Sequence, residues 1–399
     1  MRRTSVIAAI LCAGLLVPTA AVAAPAVDAG TERHTDRRGE LVSAKLIKRM
    51  SQQEVAEYLD GYELPVPARK AVDLYLVTYR TVDTEGRPTT ASALTVLPRT
   101  GDRTLRTVTW LHGTRAYRGY TGSMDDNMDR AAAVAFAASG YATVAPDYLG
   151  LGVGPGHHPY MLTKPTVTAT LDALLASRTL AARSGKQLAR KTFVTGFSQG
   201  GQASMMVGRE LQRRGELAAI AGIAGPYDIR GVELPAALDG RLDGASAAFY
   251  LGYVMTAWNR QHPLYDSPSA AFRAPYDQLV TELFDGSHPE EEIFAALPPT
   301  PGELFTDDFL AEMANPTGEL RRVLVSNDDP CQWRPRVPVR LYAGTADRDV
   351  LFSNSESCQD QLRAHGAGDT QVVNVGDVDH FTSAVVALPQ VLSWFDSLR

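Results

Sequence analysis

A serine stands between two glycines in Gly196-Phe197-Ser198-Gln199-Gly200, directly after the apolar run Phe193-Val194-Thr195 and just before the small residues Gly201 and Ala203. A strand that runs through Gly-x-Ser-x-Gly into a helix lifts the serine hydroxyl clear of a sheet edge. The flanking positions must be glycine because side chains there would collide in so tight a turn. Such a hydroxyl is a weak nucleophile at neutral pH. It needs an imidazole within hydrogen-bond reach and a carboxylate to orient that imidazole.

On an α/β sheet with this elbow the chain order is serine, acid, histidine. Of the eight histidines, only His365 and His380 follow both the elbow and the late strand from which the acid should come. His365, in Arg363-Ala364-His365-Gly366, ends a helix, where a favourable contact with the helix dipole explains it. His380, in Asp379-His380-Phe381-Thr382, lies in the loop after the last strand and can reach the sheet's C-terminal edge. The turn Gly344-Thr345-Ala346-Asp347-Arg348-Asp349 offers two carboxylates. Asp347, nearer the strand end, is taken as the acid, while Asp349 can act as a solvated turn residue or pair with Arg348.

A tetrahedral intermediate also needs N–H donors aimed at its oxyanion. The elbow supplies the backbone N–H of Gln199, and Leu111-His112-Gly113-Thr114, ending an earlier strand, supplies that of Thr114; a plain glycine turn is the alternative there. His112 is read as structural. The loop Pro146-Asp147-Tyr148-Leu149-Gly150 places Tyr148 at the pocket, with Asp147 as a brace. No Gly-Lys-Ser/Thr accompanies its glycines, which argues against a phosphate cradle. Adjacent His157 and His158 cannot both point at one metal from an extended segment.

These residues need a scaffold, and the hydrophobic pattern provides one. Residues 73–80, 91–97 and 105–111 alternate as strands, the first two joined by a turn at Asp83-Thr84-Glu85-Gly86. Strand and helix patterns then alternate: strand 141–145, helix 167–182, strand 192–195, helix 203–214, strand 218–224. They resume with strand 339–343, helix 356–364, strand 371–375 and helix 382–397. This implies an α/β fold with a mostly parallel, doubly wound sheet. Residues 24–70 are polar, with a helix over 52–59, and read as an arm. The core spans 71–225 and 338–399, split by a strand-poor, Pro/Gly-punctuated insertion, 226–337, that suits a helical cap. Within it, residues 247–258 are apolar almost all round, so Phe249, Tyr253 and Trp258 either fill the cap's core or line an acyl pocket.

The 399-residue chain is 45% hydrophobic, enough for a large core. Met1-Arg2-Arg3, an apolar stretch from Val6 to Val17 and Ala21-Val22-Ala23 follow the order of a secretory signal peptide, 1–23. The stretch is short of the roughly 20 residues of a membrane span. Leu11 before Cys12 stands where a lipoprotein would need a small residue. Losing Arg2 and Arg3 leaves 37 basic against 45 acidic residues, which makes nucleic acid an unsuitable partner. Cys331 and Cys358 remain, and in an oxidising compartment they pair with each other, two free buried thiols being the alternative. Neither has a His or Cys at zinc-ligand spacing.

Three stretches together, namely the elbow 196–201, the acid segment 344–367 with Cys358, and Asp379-His380-Phe381-Thr382 leading to Trp394-Phe395, resemble the secretory lipases of the lipase A type, a branch of the α/β hydrolases. The resemblance covers most of residues 70–399 and implies a Ser198-Asp347-His380 triad, favouring Asp347 over Asp349. The expectation is an exported serine hydrolase that cleaves small-molecule or lipid esters through an acyl-enzyme, in transient contact with lipid interfaces, needing no cofactor or metal. A peptidase or acyl-peptide hydrolase would use the same triad, and a binding protein would need only the scaffold.

Overall fold

The computed structural model describes residues 37–398; the expected signal peptide and Cys12 lie outside the described residues. Nine strands form one sheet: β1 Leu41–Met50, β2 Ala71–Val82, β3 Pro88–Arg99, β4 Thr104–Leu111, β5 Ala142–Pro146, β6 Gln187–Phe197, β7 Leu217–Ile223, β8 Val339–Ala343 and β9 Thr370–Asn374. Their order is β1-β2-β3-β5-β4-β6-β7-β8-β9. The pairs β1/β2, β2/β3 and β3/β5 are antiparallel, and every pair from β5 through β9 is parallel. The sheet is therefore mostly parallel, and the fold is that of an α/β hydrolase.

Helices cover both faces, as a parallel sheet requires. On one side lie α1 Gln52–Asp60, α2 Met128–Ala138 and the C-terminal helix, α9 His380–Ser397; Val55, Leu59, Ala131 to Ala138, Leu388 and Phe395 pack there against Val108, Trp110 and Phe193. The other side carries α3 Thr163–Arg183, α4 Gln199–Arg213 and α8 Ser353–Ala364, with Leu174, Met205, Leu211 and Leu362 on Val194, Ile220 and Leu341. The segment between β7 and β8 contributes most of a third cluster, chiefly through α5 Leu234–Leu238, α6 Gly244–Asn259 and α7 Gly318–Asn327, and the cluster also takes in Ala116 and Tyr160 to Leu162 from the loops after β4 and β5. None of the helices among the described residues is long and apolar enough to cross a membrane.

Several boundaries differ from the sequence reading. Residues 41–50, expected within a polar arm, form edge strand β1, register Leu46↔Tyr75. Only Leu41 and Met50 of its ten residues are buried, so the strand exists through backbone pairing and carries no apolar alternation to read. β6 begins at Gln187, because polar Arg190 and Lys191 mask its first half, which pairs with β4 at Thr104↔Gln187. α3 begins at Thr163 and accommodates Pro165 in its first turn, where a missing N–H costs nothing. Cys331 and Cys358 are joined as a disulfide, Cα–Cα 5.3 Å, which fastens the loop before β8 to α8.

Candidate active site

The elbow owes its shape to glycine. A Cβ on Gly196 would lie 2.5 Å from the carbonyl oxygen of Leu111, and one on Gly200 would overlap that same carbonyl. The end of β4 and the start of α4 are thus in backbone contact. Ser198 itself has φ 56° and ψ −121°, a conformation L-residues rarely adopt and which costs of order 1–3 kcal/mol. Its N–H donates to Ile223 O at 2.8 Å, and its carbonyl accepts from Gly201 N–H at 2.8 Å, so the surrounding backbone holds the strained turn in place. α4 therefore starts at Gln199, immediately after the serine, earlier than expected.

Asp347 lies in the turn after β8. Its Oδ1 accepts the backbone N–H groups of Asp349 at 2.9 Å and Val350 at 2.8 Å, and its Oδ2 faces His380 Nδ1 at 2.7 Å. Asp349 makes no such contact with His380. Burial raises its carboxyl, and it borders the cavity described below. His380 is the first residue of α9 rather than part of a loop. Asp379 caps that helix by accepting Thr382 N–H at 2.8 Å, which fixes where the imidazole projects. The ring, 1% exposed, packs on Phe197 at 4.6 Å between centroids. Its Nε2 is buried and makes no hydrogen bond among the described residues. His365 sits apart at the end of α8, its Nδ1 against Gln361 O.

The turn after β4 crowds Ser198. A Cβ on Gly113 would fall 3.4 Å from Ser198 Cβ and 3.2 Å from the Phe197 ring. Among the described residues, neither Thr114 N–H nor Gln199 N–H has a protein acceptor. His112 is structural, Nδ1 against Gly113 O at 2.6 Å and Nε2 against Asp147 O at 3.3 Å. Asp147 braces its loop, accepting Ser92 Oγ at 2.6 Å and Ser123 Oγ at 2.5 Å.

Ser198 opens on a mostly apolar cavity of about 100 Å³. Tyr250, Val254 and Trp258 of α6, with Leu234 and Leu324, form much of its wall. The other aromatic residues expected at the pocket lie elsewhere. Phe249 stacks on Phe294 at 4.5 Å, and Tyr253 stacks on Tyr160 at 4.3 Å and donates its hydroxyl to Arg115 O. Helical spacing puts residues 249 and 253 on one face of α6 and residues 247, 250, 251 and 254 on the other, and a helix apolar all round carries no sign of which faces the cavity. Tyr148 is likewise removed from the wall, 1% exposed, packed on His112 at 4.2 Å with its hydroxyl donating to His112 O.

Two further polar residues were not legible. His158, which burial pushes down to about 3, accepts from Gln199 Nε2 on its own Nε2 at 3.1 Å and so fixes that side chain. Glu233, at the end of the helical turn Ile229–Glu233, borders the cavity and accepts Leu351 N–H at 3.1 Å as well as Asn354 Nδ2. Burial first, then Asp347 and Asp349, push it up to about 8. Only its place as a lone acid in an apolar stretch sets it apart in the sequence.

No family model matches the chain, and no curated protein does. Among solved structures, the rice cell wall degrading esterase LipA from Xanthomonas oryzae superposes with a TM-score of 0.83 at 25% identity, covering 91% of this chain and 100% of its own. A Legionella pneumophila protein named as a hydrolase gives 0.84, also at 25% identity, over 90% and 98%. Candida antarctica lipase A gives 0.66 at 14% identity over 92% and 84%, a likeness of fold alone. The chain thus has the α/β-hydrolase fold in the form these lipase-A-like structures share.

Proposed function

We propose that this protein is an exported serine hydrolase of carboxylic esters, with Ser198 as nucleophile, His380 as general base and Asp347 as the orienting acid. The observation that carries the reading is a buried Asp347–His380 pair whose remaining nitrogen, Nε2, has no partner among the described residues, its ring packed on Phe197, the residue before a serine held at positive φ on an apolar cavity. In the proposed triad the Ser198 hydroxyl donates to Nε2. Oγ then attacks the ester carbonyl as its proton passes to Nε2. The free N–H groups of Gln199 and Thr114 receive the oxyanion. The imidazolium returns the proton to the leaving alcohol, and a water deprotonated by His380 releases the acid from the acyl-enzyme. None of these steps calls for a metal or organic cofactor.

The helices between β7 and β8 act as a cap that supplies the acyl site. A cavity of this size takes on the order of six carbons or fewer, by comparison with dry cavities of about 150 Å³ that hold one benzene. Short-chain esters are therefore the favoured substrates, and contact with a lipid interface is secondary. Esterase and lipase activities in proteins of the same fold support ester chemistry over amide chemistry. Export rests on the N-terminal pattern of residues 1–23, supported by the disulfide between Cys331 and Cys358.

The test is a chain-length series of butyl esters beside peptide amides, followed by pH-stat, with S198A as control. Hydrolysis that peaks at or below about six acyl carbons and falls by several orders of magnitude in S198A is expected. Faster turnover of amides, or an S198A loss under tenfold, overturns the proposal.

A further inference from the structure

The cavity wall is mostly apolar; its polar groups are Ser198 with Thr114 and Gln199 at the reacting end, the hydroxyls of Tyr160 and Tyr250, and the carboxyls of Asp349 and Glu233. Glu233 is 9% exposed, and its two carboxyl oxygens are differently engaged. Oε1 accepts Leu351 N–H and Asn354 Nδ2, both from the segment that follows Asp347. Oε2 has no protein partner among the described residues. An apolar acyl chain filling the cavity would leave that oxygen buried and unpaired, which is costly for any polar group. A substrate atom that pairs with it would be selected by the same amount.

Resting on the esterase reading above, we propose that Glu233 is a specificity-determining residue whose Oε2–H donates a hydrogen bond to an acceptor oxygen, carbonyl or ether, carried within the substrate's acyl chain. The position of the proton follows from geometry: Oε1 already faces two donors, so a neutral carboxyl carries its hydrogen on Oε2. The groups facing it keep it neutral at pH 7. Burial raises it, Asp347 and Asp349 on the acid turn add to that, Tyr160 is the nearby phenol, and only the Leu351 and Asn354 bonds act against the shift. The substrate class is thus a short acyl group with one in-chain acceptor oxygen, preferred over its all-methylene counterpart.

The experiment compares kcat/KM for butyl esters of linear five- to eight-carbon acids with those in which one methylene at each position in turn is replaced by a carbonyl, at pH 6.5 and pH 9. At pH 6.5 at least one oxo ester should exceed its all-methylene partner by roughly tenfold, the worth of one such bond in a buried site. The ratio should fade at pH 9, where Glu233 has lost its proton and faces the substrate oxygen as a carboxylate. Because a ratio of two substrates is read, the titration of His380 cancels. In E233Q the amide oxygen must take the Oε1 position to keep Leu351 and Asn354, which turns the NH₂ into the cavity, so the preference should persist at both pH values. E233M should abolish it. If E233M does not fold, the contrast between wild type and E233Q across pH carries the decision. No oxo ester ahead at any position, a preference insensitive to pH in the wild type, or a preference that survives E233M overturns the proposal. Failure of the esterase reading itself would look different, as no hydrolysis of the all-methylene esters either.

Discussion

Replacing Asp347 by asparagine tests the triad through a choice the structure makes for the new amide. Oδ1 of Asp347 receives two backbone N–H groups, those of Asp349 and Val350, while Oδ2 faces His380 Nδ1. An asparagine can keep its carbonyl oxygen toward the two N–H donors or flip. Flipping would orphan both and set an NH₂ against them, at about 1–3 kcal/mol for each donor left unpaired. A total of about 2–6 kcal/mol keeps almost all molecules unflipped. The NH₂ then donates to His380 Nδ1, the imidazole must carry its own proton on Nε2, and that nitrogen can no longer accept one from Ser198. The wrong tautomer costs about 10³- to 10⁴-fold in kcat, or about 4–5.5 kcal/mol in the barrier. KM and the melting temperature should change little, because the bonds that hold the turn remain. The assay is steady-state hydrolysis of a short-chain butyl ester by D347N and D349N, with circular dichroism to establish folding. A loss under tenfold in folded D347N, or a larger loss in D349N, refutes the assignment of Asp347 as the orienting acid.

Ser198 is strained at φ 56°, so S198G should be more stable than S198A by about 1 kcal/mol in urea denaturation, with both inactive; equal stabilities would mean the turn stores no strain. The double variant C331S/C358S should lose about 3–4 kcal/mol by the chain-entropy model for a sequence separation of 27, and unchanged unfolding would contradict that account of the disulfide. Glu233 makes stability depend on pH in a defined direction. Its carboxyl is raised from 4.5 to about 8 in the fold, so the unfolded chain sheds its proton first. Its contribution to stability is highest below pH about 4.5, falls as pH rises toward about 8 and then levels, by at most about 5 kcal/mol. Urea unfolding at pH 5 and pH 8.5 should show a smaller fall in E233Q than in the wild type; identical falls would mean that Glu233 is not held neutral.

The candidate site is the part most legible in the sequence. Gly196, Ser198 and Gly200 announce themselves because the elbow is a local backbone event, in which a Cβ at either glycine strikes the end of β4. Chain order narrows the histidines to His365 and His380, and the place of Asp347 in the turn after β8, with the resemblance, favours it over Asp349; the structure pairs Asp347 with His380. The parallel strands were found because burial on both faces makes them continuous apolar runs. β1 is not legible, since an edge strand held by backbone pairing can leave all but its end residues, here Leu41 and Met50, at least partly exposed, so that its apolar residues follow no alternation.

What the sequence by itself determined, then, is the set of candidate side chains for the proposed triad and the sheet that carries them, because both are written in local spacing and period. Only the tertiary structure decided which face of α6 meets the cavity, admitting Tyr250, Val254 and Trp258 and turning Phe249 and Tyr253 into packing. It alone brought Glu233 against Leu351 and Asn354, more than a hundred residues away along the chain. A helix apolar on all sides has no preferred orientation until its neighbours choose one, and a lone carboxyl shows nothing unusual until the fold closes over it and takes away its water.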